Sequence, residues 1–136
     1  MTGTSPRLRV GDTLHPRILG PITQTDIVRF AGAGGDFNPL HHDPEHARAA
    51  GMPGVVSMGQ LQAGMLAAWV SDLVGVENLL RFSVRFSSPL AIGETLELTG
   101  RVESVEDAEA VLGIEARVDD RVVISGGAVV RYRRAG

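Results

Sequence analysis

The segment GGDFNPLHHDPEHARAAGMPG, residues 34–54, concentrates side chains that can bind metals or move protons. It holds two aspartates, one glutamate and three of the four histidines of the chain, namely Asp36, His41, His42, Asp43, Glu45 and His46. Carboxylates accept hydrogen bonds and bind cations, whereas an imidazole can donate, accept or ligate. The segment is therefore compatible with a metal site, an acid/base pair or the start of a helix, and these interpretations predict different proteins.

The spacing disfavours a metal site. Only His42 and His46 are four residues apart, and Pro44 begins a helix between them, so they do not share one helical face. A third ligand has no obvious source, because the remaining histidine, His15, is distant in the sequence. We therefore expect no metal and no cofactor, and we interpret His42 and His46 as solvated side chains.

The second half of the segment has the pattern of a helix start. Asp43 is typical of an N-cap and Pro44 of the first helical position. Glu45 favours the same helix start because a negative charge stabilises the N-terminus of a helix. The short helix EHARAA is expected to end at Gly51. These residues need no catalytic role to explain them.

A helix start does not explain Asp36, Asn38, Pro39 and His41. A residue before proline is restricted to extended or turn geometry, so the Asn38-Pro39 step makes a rigid loop that can hold Asp36 beside His41. A carboxylate and an imidazole placed together can share one water molecule and transfer its proton near neutral pH. The competing interpretation is a loop whose polar groups face solvent, and the spacing alone leaves both open.

Two further helices are predicted around this segment. Thr23 and Asp26 have the spacing of a capping box, and glycines up to Gly35 end that helix. Residues 58–73 are the most helical part of the chain, and they are so apolar and small-sided that other elements are expected to wrap around them. Gln62 is expected at the surface. The buried stripe is predicted to be Leu61, Met65, Ala68 and Trp69.

From residue 79 onwards the apolar residues recur with a period of two, which is typical of half-buried strands. Four such runs with short connections suggest an antiparallel meander. Residues 8–20 are interpreted as an edge strand or an extended arm. One amphipathic sheet and one buried helix predict the α+β class.

Composition narrows the possible functions. A chain of 136 residues is expected to form one domain, and the absence of cysteine excludes disulfides and thiolate metal sites. The formal charge of −3, from 13 basic and 16 acidic side chains, argues against a nucleic-acid partner. No apolar run of about 18 residues and no signal-peptide pattern is present, so we expect no membrane partner and a cytoplasmic location.

The segment FAGAGGDFNPLHHDPEHARAAG resembles the signature of MaoC-like dehydratases and (R)-specific enoyl-CoA hydratases. These proteins share the pattern Gly-Asp-x-Asn-Pro-(Leu/Ile)-His-x-Asp, followed by a short Ala-rich helix. The pattern is met at Gly35, Asp36, Asn38, Pro39, Leu40, His41 and Asp43. The resemblance implies one hot-dog domain over residues 1–136, in which a curved antiparallel sheet wraps around a long central helix.

The resemblance also implies a reaction. Family members add water to a 2-enoyl thioester, or remove it from a 3-hydroxyacyl thioester, carried by coenzyme A or an acyl-carrier protein. Asp36 and His41 would activate the water. The start of the central helix, with Ser57, Gly59 and Gln60, would meet the thioester oxygen. Asn38 would shape the loop or touch the substrate.

One departure from the family pattern concerns the substrate. Many relatives have His-Gly at the start of the central helix, where this chain has Met58-Gly59. Relatives that act on bulky acyl groups as mixed dimers also lack that histidine, so a homodimer and a mixed dimer both remain open. A hot-dog thioesterase and a non-catalytic partner that binds acyl thioesters are two competing functions. Residues 58–71 contain no carboxylate, which argues against the thioesterase.

Overall fold

The computed structural model describes residues 5–134. The predicted domain boundaries fall at residues 1 and 136, and both lie outside the described part of the chain. Three α-helices and seven strands make up the described fold, in the order β1, β2, α1, α2, α3, β3, β4, β5, β6 and β7. Five of the strands form one antiparallel sheet, and four of these follow one another in the chain after the three helices. This arrangement confirms the predicted α+β class.

The first helix, α1, spans Gln24–Gly34 and is closed at both ends by its own sequence. The Thr23 hydroxyl accepts from the Asp26 N–H, and the Asp26 carboxylate accepts from the Thr23 N–H, which is the predicted capping box. The Thr23 N–H that donates to the carboxylate is the main reason that the pKa of Asp26 lies below its usual value, and the Thr23 side chain lowers this pKa further. Gly35 ends the helix in the left-handed conformation, with φ of 70°.

Two shorter helices follow. A 3-10 helix spans Pro39–His41, and the helix α2 spans Pro44–Ala49. The Asp43 carboxylate accepts from the N–H groups of Glu45 and His46, so the predicted N-cap is confirmed. The successive caps at Gly35, Asn38 and Asp43 fix the path of the backbone from α1 to α2.

The long helix α3 spans Gly59–Val74, close to its predicted limits, and a 3-10 turn at Val76–Asn78 follows it. Its buried face differs from the predicted stripe: Ala68 is exposed and Gln62 is buried. The physical reason is that alanine, glycine and leucine occur on all sides of α3, so its faces differ little in polarity. The buried residues of α3 are Gln62, Ala63, Leu66, Trp69, Val70 and Val74.

The strands form one large sheet and one small one. The strands are β1 (Arg7–Leu8), β2 (Arg17–Leu19), β3 (Leu79–Phe86), β4 (Leu96–Glu106), β5 (Glu109–Val118), β6 (Arg121–Arg131) and β7 (Arg133–Arg134). The large sheet has the antiparallel order β2-β4-β5-β6-β3, and β1 pairs in parallel with β7. The predicted edge strand within residues 8–20 is therefore present as β2.

The predicted four-stranded meander is wrong for one strand. β4, β5 and β6 do follow one another, because tight turns at Asp107 and Asp119 join them. β3 instead pairs with β6, at the far side of the sheet from β4. A two-residue turn forces neighbouring strands to pair, whereas the longer connection over residues 87–95 lets the chain pass from the edge strand β3 to the interior strand β4 on the other side of the sheet.

The core lies between one face of the large sheet and α3. Apolar side chains of the strands alternate inward and pack against the buried face of the helix, as the period of two predicts. The Trp69 indole is buried there and donates to the carbonyl oxygen of His15 at 3.0 Å, which ties α3 to the N-terminal arm. Among residues 5–134, no helix has the length and hydrophobicity needed to cross a bilayer.

Candidate active site

The loop between α1 and the 3-10 helix holds Asp36 in place through its own hydrogen bonds. The Asp36 N–H donates to the Ala31 carbonyl at 3.1 Å. The Asp36 Oδ1 atom accepts from the Asn38 N–H at 3.3 Å, and the Asn38 Oδ1 atom accepts from the Leu40 N–H at 3.0 Å. These bonds close the loop on itself, so Asn38 shapes the loop.

His41 is held more tightly than a loop residue. It is the last residue of the 3-10 helix and is buried, whereas the sequence predicts a rigid loop without helical structure at this position. The reason is that Asn38-Pro39 starts a helical turn as well as restricting Asn38 to an extended φ/ψ. Gln24 in α1 donates through Nε2 to the His41 carbonyl at 2.9 Å, so α1 and the 3-10 helix are joined at this point.

The His41 ring has a defined proton position. Its Nδ1 atom lies 2.7 Å from the Val56 carbonyl oxygen, which can only accept, so Nδ1 carries the hydrogen. The Nε2 atom of the neutral ring is then a hydrogen-bond acceptor. It faces the Asp36 Oδ2 atom at 3.4 Å. The predicted proximity of Asp36 and His41 is therefore present in the fold.

Two acceptors that face each other need hydrogens between them. A water molecule beside the pair can donate one hydrogen to His41 Nε2 and the other to Asp36 Oδ2, which leaves its oxygen lone pairs directed away. The His41 side chain is 11% exposed and the Asp36 side chain 43% exposed, so the pair is reachable from one side. This arrangement can bind and deprotonate water.

The pair opens onto a cavity of about 250 Å³, which we call the acid/base cavity. Most of its walls are apolar, and it is lined by Ile27, Val28, Ala31, Gly32, Asp36, Phe37, His41 and His42. Val28 and Phe37 are exposed at its rim, and Phe37 is 69% exposed. An apolar cavity with one polar end is suited to a substrate with a hydrocarbon part and one reactive centre.

The other predicted site residues surround the start of α3. Ser57 is buried, Gly59 is half-buried and Gln60 is exposed. They line a cavity of about 470 Å³, the α3 cavity, together with Gln62, Phe86, Ser87, Ser88 and Pro89. The N-cap residue Met58 makes no side-chain capping bond, so the N–H groups of Gly59 and Gln60 are available to a ligand. A Cβ at Gly59 would lie 2.7 Å from the Phe86 ring, so glycine allows this close approach.

Asn38 is exposed and lines neither cavity, whereas the other predicted site residues line two cavities that one short segment joins. The Val56 N–H donates to the Leu40 carbonyl at 3.1 Å, while the Val56 carbonyl accepts from His41. Val56 is three residues before Gly59, the first residue of α3. The backbone that orients the His41 ring thus leads directly into the start of the long helix.

The structure also places the residues of the metal interpretation. His42 and His46 are exposed, as expected for solvated side chains. Within residues 5–134, no three histidine, aspartate or glutamate side chains come together as a metal site would require.

Sequence reasoning missed three contributors to this region. Gln24 holds the His41 backbone, the Val56 carbonyl holds its ring, and Gln62 lines the α3 cavity. A backbone carbonyl has no sequence signal, so Val56 could not have been found in this way. A polar residue within an apolar helix is a signal, and Gln62 could have been found from it.

Known proteins are similar to this chain in sequence and in fold. The family described as MaoC like domain matches residues 5–122. A mitochondrial 3-hydroxyacyl-[acyl-carrier-protein] dehydratase from Arabidopsis thaliana is 35% identical over 98 residues. An (R)-specific enoyl-CoA hydratase from Rhodospirillum rubrum is 28% identical over 119 residues. A solved structure titled "MaoC-like dehydratase" superposes with a TM-score of 0.87 at 28% identity.

Coverage differs among these relatives. The matches cover 72% of this chain for the Arabidopsis protein, 85% for the Rhodospirillum protein and 95% for the solved structure. The chain spans 57% of the Arabidopsis protein, 83% of the Rhodospirillum protein and 43% of the solved chain. The signature at Asp36–His41, the sheet packed on α3 and the family match over residues 5–122 lead to one assignment. This chain belongs to the MaoC-like domain family and has its hot-dog fold.

Proposed function

We propose that this chain is a hydro-lyase that adds water to a 2-enoyl thioester or removes it from a 3-hydroxyacyl thioester. The observation that carries the proposal is the 3.4 Å contact between His41 Nε2 and Asp36 Oδ2 at the end of an apolar cavity. The two relatives with the names dehydratase and hydratase support the same reaction. Their names also support an acyl-carrier protein or coenzyme A as the carrier.

In the proposed hydration, Asp36 and His41 bind one water molecule and remove its proton as the oxygen attacks C3. Bulk water has a pKa of about 15.7 and is a poor nucleophile without such a base. The oxygen forms a bond to C3 as the C2=C3 π bond breaks, and the electron pair released at C2 takes up a proton returned by the pair. Either group can hold the proton during the cycle, because His41 Nε2 and Asp36 Oδ2 lie 3.4 Å apart.

The start of α3 is the proposed binding site for the thioester oxygen. Negative charge builds on this oxygen during attack at C3, and free N–H groups at a helix N-terminus stabilise such charge. We assign this role to the backbone at Gly59 and Gln60. Ser57 supports this backbone, since its N–H donates to the Leu90 carbonyl at 2.7 Å.

We further propose that the enzyme is a dimer of hot-dog subunits. β3 is an edge strand of the large sheet, and an edge strand offers unpaired backbone groups to a partner. A partner would also cover the exposed Val28 and Phe37 at the rim of the acid/base cavity. The partner is a second copy of this chain or a related subunit.

The experiment that tests the function is hydration of crotonyl-CoA and of a panel of longer 2-enoyl-CoA substrates, followed by loss of the enoyl absorbance. Asp36→Asn and His41→Ala should each lower turnover by about 10²–10⁴-fold. His46→Ala is the matched control, because its side chain is exposed and it lines neither cavity, and it should leave turnover unchanged.

Two results would contradict the proposal. Full activity of the His41→Ala variant would remove the pair from the mechanism. Release of free coenzyme A from saturated acyl-CoA, without hydration of any enoyl substrate, would instead indicate a thioesterase. The absence of aspartate and glutamate from residues 58–71 is the reason to expect hydration and not this hydrolysis.

A further inference from the structure

A buried amide lies beside the start of α3. Gln62 is in the first turns of the helix and is only 2% exposed. Helical side chains lean toward the N-terminus of their helix, so the Gln62 side chain extends back over the turn that begins at Gly59. The contact with Ser57 confirms this direction, since Gln62 Oε1 lies 2.6 Å from the Ser57 hydroxyl oxygen.

The orientation of this amide follows from the contact distance. O–H···O hydrogen bonds are about 2.5–3.0 Å long, whereas N–H···O bonds are about 2.7–3.2 Å long. The 2.6 Å separation fits a Ser57 hydroxyl that donates to the Gln62 oxygen. The same hydroxyl is 3.2 Å from the Met58 carbonyl, which is the longer contact. The Gln62 Nε2 atom therefore faces away from Ser57.

The amide nitrogen is left with donors and no acceptor. Among the residues that the structure describes, Gln62 Nε2 makes no hydrogen bond. Within residues 5–134, every side-chain nitrogen or oxygen that is fully shielded from solvent has a hydrogen-bond partner. Because Nε2 has no partner, it must be in contact with open space. Gln62 lines the α3 cavity with Ser57 and Gly59, so this cavity is the open space beside its amide.

We propose that Gln62 is a catalytic residue that donates a hydrogen bond from Nε2 to the thioester carbonyl oxygen, and that Ser57 is the positioning residue that orients its amide. This inference rests on the proposed function. An amide N–H that reaches the α3 cavity can donate to a ligand oxygen there in place of solvent. The donor would add to the backbone N–H groups of α3 at the oxygen where charge develops.

The first test replaces the amide with an apolar side chain of similar shape. Gln62→Met keeps the volume but loses the donor, and it should lower kcat on the best enoyl-CoA substrate by roughly 10²-fold, the effect of losing one such donor. The KM should change much less. The thermal midpoint of each variant reports whether the fold is retained.

A second variant separates catalysis from support of the fold. Ser57 needs only an acceptor oxygen, which Gln62→Glu provides, so a purely structural role predicts near-normal turnover for this variant. The proposed role predicts a loss larger than that of Gln62→Met in mildly alkaline buffer, because a carboxylate repels the developing negative charge. Normal turnover of Gln62→Glu would overturn the proposal.

The Ser57 role has its own matched control. Ser57→Ala frees the amide to rotate and should lower kcat, whereas Ser71→Ala removes a hydroxyl that bonds the Ala68 carbonyl at the far end of the same helix. Ser71→Ala should leave kcat unchanged. Equal turnover of Ser57→Ala and the wild type would remove Ser57 from the mechanism.

A binding measurement keeps this inference separate from the proposed reaction. Butyryl-CoA is saturated and cannot be hydrated, so the vibrational frequency of its thioester carbonyl reports hydrogen bonding without turnover. Binding to the wild type should lower this frequency, and Gln62→Met should reverse part of the shift. If the wild type is active but the carbonyl frequency in Gln62→Met is as low as in the wild type, the proposed role of Gln62 is refuted and the proposed function is not. Wild type without hydratase activity refutes the proposed function, whatever the carbonyl shows.

Discussion

His41 derives its properties from three contacts made by different parts of the chain. The Val56 carbonyl fixes the hydrogen on Nδ1, the Gln24 amide holds the His41 backbone, and the Asp36 carboxylate faces Nε2. Each contact restricts one degree of freedom of the ring: its tautomer, its position and its direction. An imidazole held in this way is prepared for proton transfer before the substrate binds.

Gln24 offers a prediction at the scale of a residue. Gln24→Ala removes the hydrogen bond to the His41 carbonyl, so the 3-10 helix should move relative to α1 and kcat should fall about 10-fold, within the range that small misplacements cost. The free energy of unfolding should fall by roughly 1 kcal/mol, the typical worth of one such bond. Thr25→Ala, at a neighbouring position, is the control. Unchanged kcat in Gln24→Ala would show that the pair does not depend on this bond.

At the scale of an element, β6 carries glycine where β3 comes very close. A Cβ at Gly126 in β6 would lie 2.1 Å from the Ser83 carbonyl oxygen of β3. Backbone atoms cannot move away from such a contact as a flexible side chain can. The neighbouring Gly127 faces the opposite side, where a Cβ would lie 3.4 Å from the Leu112 carbonyl oxygen. The close pairing of β3 with β6 therefore depends on the first of these two glycines.

These adjacent glycines give a matched prediction. Gly126→Ala should separate β6 from β3 and lower the free energy of unfolding by about 1–3 kcal/mol or more, as overpacking does. Gly127→Ala should change stability by much less. Urea denaturation of both variants measures the difference. Equal stability of the two variants would show that β3 and β6 adjust to a side chain at this position.

Several apolar surfaces of the single chain are open to solvent at the scale of the whole molecule. The exposed residues include Val28 and Phe37 beside the acid/base cavity, and Leu80 and Phe86 on the edge strand β3. Apolar groups gathered at an unpaired strand and at the rim of a cavity are typical of a protein interface. The acid/base cavity would then be closed by the partner subunit.

A dimer makes a prediction that sedimentation can check. The purified protein should have twice the 14.4 kDa mass of one chain if it pairs with itself. Leu80→Arg places a charge on β3 and should shift the protein toward one chain, whereas Val10→Arg, at an exposed site outside the large sheet, should not. A stable single chain in the wild type would contradict a homodimer and direct attention to a related subunit as partner.

Local signals in the sequence predicted much of this molecule. The capping residues Thr23 and Asp43 fixed two helix starts, and alternation in β4, β5 and β6 identified the buried faces of these strands. Asn38-Pro39 and the family signature together predicted that Asp36 and His41 would meet. Each of these features depends on residues close together in the chain.

The features that escaped prediction depend on distant partners or on weak contrast. A period of two shows which face of β3 is buried but not which strand lies beside it. The small apolar residues of α3 left its orientation undetermined, so the buried position of Gln62 was missed. His41 and the Val56 carbonyl are separated by 15 residues, and any residue at position 56 has a carbonyl.

The Val56 backbone connects the group proposed to activate water with the helix proposed to polarise the substrate carbonyl. It holds the ring that would take a proton from water, and three residues later the chain begins the helix that would polarise the substrate. A substitution that displaces this short segment should therefore weaken both operations together. Across a series of such variants, the losses in nucleophile activation and in carbonyl polarisation should rise in proportion.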